Sequence, residues 1–159
     1  MSQELSSSAQ KVQDVLEDFG LSLQVVELPA STRSAVDAAD SIGCELGQII
    51  KSIIFKGKRT HRAILVLASG KNRIDERVIE VLIKEPLGKA NADFVRQATG
   101  FAIGGVPPVG HNHEIETYID RDLLDYEMLW AAAGTPNAIF ALTPEDLTRI
   151  SPGRVVSIK

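Results

Sequence analysis

Ile49-Ile50-Lys51-Ser52-Ile53-Ile54-Phe55 is a run of mostly β-branched and aromatic residues, and it predicts a β-strand at the centre of the fold. Side chains alternate along a strand, which places Lys51 on one face with three large apolar residues and Ser52 on the other face. A buried ammonium group is costly unless it is paired or faces a polar cavity. Two interpretations of Lys51 follow: its ammonium extends to water from near the strand end, or it points into a pocket.

A second strand follows this run after a short basic turn. The turn is Lys56-Gly57-Lys58-Arg59, and Ala63-Ile64-Leu65-Val66-Leu67 then forms an apolar run without alternation. Such a run is typical of a strand covered on both faces. Because only a short turn separates the two strands, we expect a hairpin at the centre of the sheet. Ser69-Gly70-Lys71-Asn72 lacks the first glycine and the final hydroxyl of a Walker motif, and we expect a turn there.

The flanking sequence predicts helices and further strands on both sides of this hairpin. Apolar residues at spacings of three and four, with capping residues before them and a glycine or proline after them, predict helices over 6–20, 31–43, 75–85 and 91–100. Alternating or apolar runs predict strands over 21–29, 116–119, 128–133, 138–142 and 155–158. Thr143-Pro144-Glu145-Asp146 combines an N-cap hydroxyl, a first-turn proline and acidic residues, and it predicts one more helix.

These elements include hairpins and do not alternate regularly between strand and helix. We therefore predict the α+β class, with a single domain over residues 1–159 in which helices flank a mixed β-sheet. A chain of 159 residues is long enough for one full hydrophobic core. No repeat, linker or low-complexity segment divides the sequence.

Composition excludes several classes of protein. With 44% hydrophobic and 24% charged residues, the chain is neither disordered nor fibrous. The single cysteine, Cys44, can form no internal disulfide, which is typical of a reducing compartment. The sequence has no signal-peptide pattern and no apolar run long enough to span a bilayer. We expect a cytoplasmic protein that makes no contact with a membrane.

Charge is unevenly distributed along the chain. The formal charge of −4 argues against a protein that coats nucleic acid, but residues 1–50, 51–96 and 97–159 carry −6, +6 and −4 respectively. The basic middle third is either a solvated face or a patch that meets phosphates.

Gly104-Gly105-Val106-Pro107-Pro108-Val109-Gly110-His111 predicts a shaped loop, since its prolines and glycines suit neither regular helix nor a central strand. The loop is either a tight connection or a binding element. Together with Lys51 and the Gly134-Thr135-Pro136 turn, it predicts a small-ligand pocket whose backbone amides bind an anion or an ester carbonyl.

Other kinds of catalytic site have weaker support. His111 and His113 share one face of an extended segment near Glu114, but these residues supply few metal ligands, and we predict neither a metal nor a cofactor. Cys44 has no catalytic signature around it, and no Gly-x-Ser-x-Gly elbow occurs.

Four motifs in order resemble the YbaK family of aminoacyl-tRNA deacylases, which is related to the editing insertion domain of bacterial prolyl-tRNA synthetases. The resemblance spans nearly the whole chain and implies that family's fold. The motifs are Thr32-Arg33-Ser34-Ala35 with Ala38-Ala39, then residues 49–55, the loop at 104–111, and Ala133-Gly134-Thr135-Pro136 followed by 142–147.

The resemblance implies a set of site residues. Lys51 matches the family's functional lysine, and Gly105 and Gly134 match its backbone-lined pocket walls. The residues expected to act in catalysis are Lys51 and Gly105, and those expected to bind substrate are Thr32, Ser52, Val106, Pro107, Pro108, Gly110, His111, Gly134 and Thr135.

The resemblance also implies an activity. A freestanding editing factor of this family hydrolyses the ester between a wrong amino acid and tRNA, most often alanine or cysteine on proline tRNA. The loop at 107–111 is more similar to the alanine-directed or uncharacterised branches. The expected partners are the tRNA acceptor end and prolyl-tRNA synthetase. The alternative is a noncatalytic module that binds an aminoacyl, nucleotide or tRNA ligand in the same pocket.

Overall fold

The computed structural model describes residues 5–28 and 34–159. The helices in these residues are α1 (Ser7–Asp18), α2 (Ala35–Ile42), α3 (Glu76–Ile83), α4 (Ala92–Thr99) and α5 (Pro144–Ile150), with short 3₁₀ helices at Leu46–Gln48 and Arg121–Asp125. The strands are β1 (Val26–Glu27), β2 (Ile50–Gly57), β3 (Ala63–Ser69), β4 (Leu87–Lys89), β5 (Glu116–Asp120), β6 (Leu129–Ala132), β7 (Ala138–Leu142) and β8 (Arg154–Val156).

The helices begin and end at residues with suitable capping chemistry. α1 follows Ser6, whose hydroxyl accepts a first-turn N–H, and α5 follows Thr143, which forms a reciprocal capping pair with Asp146. α2 and α4 end at Gly43 and Gly100, which have left-handed φ values of 80° and 84°. None of the helices in the described part of the chain is long and apolar enough to cross a membrane.

A five-stranded mixed sheet in the order β4-β2-β3-β5-β8 forms the centre of the fold. β2 and β3 are the predicted hairpin, with Ile50 opposite Ser69 and Lys56 opposite Ala63. β4 is antiparallel to β2, whereas β5 runs parallel to both β3 and β8. The mixed α+β sheet predicted from the sequence is therefore confirmed.

A second, smaller sheet covers one face of the first. It is antiparallel, in the order β1-β7-β6. An isolated parallel bridge between Ile49 and Trp130 connects β6 with the start of β2. This bridge brings the small sheet to the edge of β2, where the candidate site lies.

Each face of the five-stranded sheet has its own core. Leu65 and Leu67 of β3 pack with α1, the small sheet and the Gly/Pro loop, while Ile64 and Val66 pack with α3 on the other face. All four are fully buried, as the run without alternation predicts. Burying one such side chain contributes about 1.5–3 kcal/mol, so β3 is anchored from both sides.

The strands of the structure differ from the predicted ones in two main places. The strand expected over 21–29 is reduced to Val26–Glu27, because the Gln13 side chain donates to the Leu23 carbonyl and accepts from the Val25 N–H, occupying groups that a longer strand would pair. β4 was not predicted, since Pro86-Leu87-Gly88 reads locally as a break and its pairing with β2 is long-range.

Candidate functional site

A cavity of about 390 Å³ lies along one edge of β2, and we name it the β2-edge cavity. This volume is within the range of small-ligand sites, roughly 300–1,000 Å³. Its lining is mainly apolar. The cavity is lined by α2 residues Ser34, Ala35 and Ala38, by residues 49–53, by Ile103, Gly104 and Val106 of the loop, and by Trp130, Ala131, Ala132, Pro136 and Ile139 of the small sheet.

The backbone of β2 forms one wall of this cavity. The Ile49 carbonyl accepts from Gly70 and the Gly57 N–H donates to Arg62, so these odd-numbered residues turn their peptide groups towards the β3 side. Peptide groups alternate in direction along a strand, so those of Ser52 turn to the opposite edge. β4 occupies that edge only beside Phe55–Gly57. Within the described part of the chain, the Ser52 N–H and carbonyl therefore have no backbone partner, and Ser52 lines the cavity.

The Ser52 hydroxyl is also unsatisfied. Its oxygen is buried and has no hydrogen-bond partner among the described residues. Buried hydroxyl groups are nearly always hydrogen-bonded, and leaving one unpaired costs about 1–3 kcal/mol. Ser52 thus places a hydroxyl group with no partner among the described residues directly beside the β2-edge cavity.

Lys51 lines the cavity, and its ammonium group reaches the turn that follows β3. The Nζ atom donates to the main-chain carbonyl of Asn72 at 2.7 Å. Desolvation lowers the pKa of Lys51 below its ordinary value, and the charge of Asp120 opposes that effect. The sequence left open whether this lysine extends to water or points into a pocket; the structure gives its ammonium a protein acceptor beside the cavity.

The two glycines assigned to the pocket wall pack against each other, backbone to backbone. Gly134 donates its N–H to the Gly105 carbonyl at 2.8 Å, and the Gly105 N–H donates to Ala102 at 3.0 Å. A Cβ atom at Gly105 would lie 2.8 Å from the Gly134 backbone. The Gly105 amide thus already has an acceptor within the loop, and Gly105 meets Gly134 as one backbone against another.

Free donors do occur on either side of Gly105. Among the described residues, the amides of Gly104 and Val106 donate to no protein acceptor, and both residues line the β2-edge cavity. Val106 is buried, with 4% of its surface exposed. The donor function expected of the Gly/Pro loop is available from these neighbouring peptide groups.

The second half of the Gly/Pro loop does not line the β2-edge cavity. Pro108, Gly110 and His111 border a separate, more open cavity of about 680 Å³ that extends to the end of α5, and Pro107 is buried. The His111 Nε2–H donates to the Pro107 carbonyl at 2.7 Å. Burial lowers the pKa of His111, so its neutral form is favoured. His111 closes the loop on itself.

The remaining predicted site residues lie beside the cavity or outside the described residues. Thr135 donates its hydroxyl to Asn137, which in turn donates to the Leu28 carbonyl, so this turn is tied to the end of β1. Pro136 lines the cavity in place of Gly134 and Thr135. Thr32 falls outside the described residues.

The described residues do not support a metal site or a cysteine nucleophile. No group of three or more His, Cys, Asp or Glu side chains in residues 5–28 and 34–159 is arranged to hold a metal ion. Burial raises the pKa of the Cys44 thiol, which disfavours the thiolate that a nucleophile needs.

A basic surface continues from the cavity along β2. The Lys56 ammonium lies 5.0 Å from the centre of the Phe94 ring, and the Lys58 stem packs on Gly88 of β4. Glu85 is buried beside this surface. Its carboxylate already forms an ion pair with Arg62 and accepts hydrogen bonds from backbone N–H groups. Part of the positive charge of residues 51–96, namely Lys56 and Lys58, therefore lies at the β4 edge of the sheet.

An apolar cavity that combines an unpaired strand edge, a lysine and a Gly/Pro loop defines a small-ligand site on an α+β scaffold. Residues 29–150 match the family model described as the aminoacyl-tRNA editing domain, and the chain belongs to that family.

Individual relatives agree with this assignment. A solved structure described as a candidate trans-editing enzyme for prolyl-tRNA synthetase is 50% identical, with a TM-score of 0.92 over 98% of this chain and 99% of the other. The uncharacterized protein YwhH of Bacillus subtilis is 32% identical over 82% of this chain and 83% of its own length. EbsC of Enterococcus faecalis, described as a candidate Cys-tRNA(Pro)/Cys-tRNA(Cys) deacylase, is 22% identical over 79% of this chain and 76% of its own.

Sequence reasoning missed several residues at the site. Ile103, Trp130 and Ile139 line the cavity from segments that read as ordinary core strands or loop ends. Asn72 and Asp120 approach Lys51 from a turn and from the end of β5. The only local signal was a polar residue directly after an apolar strand, which does not identify a partner.

Proposed function

We propose that the protein is a freestanding editing factor that hydrolyses the ester of mischarged aminoacyl-tRNA, with alanyl- or cysteinyl-tRNA(Pro) as the substrate. The observation that supports this most directly is the β2-edge cavity, which gathers Lys51, Ser52 and the Gly104–Val106 segment in a chain of the aminoacyl-tRNA editing family. All of residues 1–159 are assigned to this one editing domain.

The chemistry required is modest. An aminoacyl ester is already reactive, so the protein has to position water and stabilise the oxyanion that forms. The Gly104 and Val106 amides are suited to that oxyanion because they are preorganised and unoccupied. The ribose hydroxyl next to the ester supplies a further group that can activate water, which accounts for a site without a protein nucleophile.

Lys51 serves as a positive charge in this proposal. Its ammonium donates to the Asn72 carbonyl. Burial lowers the pKa of Lys51, and the charge of Asp120 opposes that effect and supports the protonated form. A protonated lysine is no nucleophile, but it attracts the phosphate of the terminal adenosine or the ester carbonyl.

The cavity discriminates amino acids by size. Its lining includes Ile50, Ile53 and Val106, and a methylene group in such a hydrophobic site changes binding by about 1–3 kcal/mol. A small amino acid such as alanine fits beside the terminal adenosine, whereas a larger one has to displace these side chains. EbsC, described as acting on cysteinyl-tRNA, keeps cysteine as the second candidate.

A panel of alanyl-, cysteinyl-, seryl- and prolyl-tRNA(Pro) tests the proposal. We expect faster deacylation of the alanyl or cysteinyl ester than of the prolyl ester, and we expect Lys51→Ala to abolish it while unfolding stays cooperative. No acceleration with any ester would refute the enzymatic function. Saturable binding without turnover would instead identify a noncatalytic binding module. Loss of cooperative unfolding in Lys51→Ala would indicate a structural lysine.

A further inference from the structure

A network of polar groups at the end of the central sheet includes the acceptor of the Lys51 ammonium. Asn72 is 8% exposed and Asp120 is 1% exposed, and both lie where β3 and β5 end. Neither residue is in a motif that the proposed function uses. Buried polar groups at a site are costly unless fully satisfied, so their arrangement calls for a reason.

Asn72 is fixed from both of its ends. Its side-chain nitrogen donates to Asp120 at 2.9 Å and to Asp122 at 2.8 Å, while its main-chain carbonyl accepts from Lys51 at 2.7 Å. The two carboxylates therefore set the position of the turn, and the turn sets the direction of the carbonyl that Lys51 contacts.

Asp120 ties this turn to the sheet. One carboxylate oxygen accepts from the Ser69 N–H and from Asn72, each at 2.9 Å, and the other oxygen accepts from the Asp122 N–H at 3.0 Å. Among the described residues Asp120 forms no ion pair within 4.0 Å. Lys51 is a cation close enough for the charge of Asp120 to act on it. Lys51 and Asp120 lie on the same face of the sheet, at neighbouring register positions on either side of β3.

We propose that Asn72 and Asp120 are positioning residues for Lys51: Asp120 fixes the Asn72 carbonyl, and that carbonyl holds the Lys51 ammonium, charged, beside the cavity. The importance of this arrangement for catalysis rests on the proposed function, but the arrangement itself does not. The charge of Asp120 raises the pKa of Lys51 against the lowering caused by burial, which agrees with this assignment.

The other charged groups near the turn act on Asp122. Lys159 forms an ion pair with Asp122 at 2.9 Å, and Lys71 lies over the Tyr126 ring and also lowers the pKa of Asp122. Asp122 shares the Asn72 side chain with Asp120 but does not contribute to the pKa of Lys51. Asp122→Asn removes an equal charge from the same Asn72 amide but not the charge that acts on Lys51, so it is a matched control for the charge of Asp120.

The test follows the Lys51 side-chain signals by NMR across alkaline pH in the full chain, with Lys51→Arg to assign them. Because Asp120→Asn removes the nearby negative charge, we expect a lower Lys51 pKa in that variant and an unchanged one in Asp122→Asn. An unchanged Lys51 pKa in Asp120→Asn, or equal shifts in both variants, would overturn the proposal.

Asn72→Ala provides a second test that keeps the main-chain carbonyl but releases it from the carboxylates. We expect faster hydrogen exchange of the Lys51 ammonium protons in this variant than in the unaltered protein, since the carbonyl is no longer held in place. Exchange at the unaltered rate would show that Asp120 stabilises the turn only.

Kinetics connect the network to catalysis. Activity that requires the ammonium is lost as pH rises through the Lys51 pKa, so Asp120→Asn should shift the alkaline fall in kcat/KM to lower pH. A merely structural loss would reduce kcat/KM equally at every pH and contradict the proposal. If the unaltered protein deacylates none of the esters, the NMR result still decides whether the network positions Lys51, so the two proposals fail separately.

Discussion

Lys51 and Ser52 are sequence neighbours whose polar groups are satisfied in opposite ways. The Lys51 ammonium has a carbonyl acceptor at 2.7 Å, whereas the Ser52 hydroxyl is buried without a partner among the described residues. The lysine is therefore held in place by the protein itself, whereas the serine hydroxyl has no acceptor or donor among the described residues. Both residues line the same cavity.

Gly105 is required by the close contact between two backbones. We expect Gly105→Ala to lower the free energy of unfolding by about 1–3 kcal/mol, because the added Cβ lies 2.8 Å from the Gly134–Thr135 backbone and one of the two segments must move. Urea titration measures the loss. Gly88→Ala is the control, since its Cβ meets the flexible Lys58 side chain at 3.3 Å and the Lys56 carbonyl at 3.5 Å, an ordinary contact distance. Equal losses in the two variants would contradict this explanation.

The β2–β3 hairpin depends on a buried carboxylate at its turn. Glu85 is 5% exposed and accepts from the N–H groups of Arg59 and Thr60 and from the Thr60 hydroxyl, and it forms an ion pair with Arg62. The hydrogen bonds from Thr60 contribute most to lowering the pKa of Glu85, from 4.5 to about 2. The turn of the β2–β3 hairpin carries several basic residues, and it is thus stabilised by the carboxylate of Glu85.

The lowered pKa of Glu85 makes the stability of the folded protein depend on pH. Because the folded-state pKa is the lower one, the stabilisation by Glu85 is fully present above about pH 4.5 and is lost as pH falls towards about 2. We expect Glu85→Gln to be less stable than the unaltered protein at neutral pH, with the difference narrowing in acid. Urea unfolding at several pH values measures it, with exposed Glu17→Gln as the control. A difference independent of pH would contradict the role of the charge.

At the scale of the whole molecule, three lysines lie at the same sheet edge as the candidate site. The hairpin turn and β4 place Lys56, Lys58 and Lys89 at the edge that also bears the β2-edge cavity, while β8 forms the opposite edge. A tRNA acceptor end bound in the cavity would have its phosphates near this basic surface, and an acidic chain would still attract it locally.

Charge-reversal variants at the two sheet edges distinguish the effect of this basic surface on tRNA binding from the effect of net charge. We expect Lys58→Glu to raise KM for the aminoacyl-tRNA and to reduce its salt dependence by roughly one unit in the log–log slope, because phosphate contacts release counterions. Arg154→Glu on β8 changes net charge equally and should leave both quantities nearly unaltered. KM measured over a series of salt concentrations gives the answer, and equal effects of the two variants would show that only net charge matters.

The sequence by itself determined the elements whose cause is local. The caps at Ser6 and Thr143, the helix-ending glycines, the doubly buried run of β3 and the irregular loop at 104–111 all follow from neighbouring residues, and the structure agrees with them. The α+β class and the family resemblance follow from the order of these elements. Periodicity and backbone restriction act over a few residues, so a linear pattern is sufficient to reveal them.

The tertiary structure alone decided which groups meet. β4 pairs with β2 across about 30 residues of sequence, the two halves of the Gly/Pro loop border different cavities, and the Gly105 amide is occupied by Ala102. Asn72 and Asp120 reach Lys51 from 21 residues away and from a different strand. Such contacts depend on strand register and on the packing of two sheets, and neither is encoded in the spacing of residues along one segment.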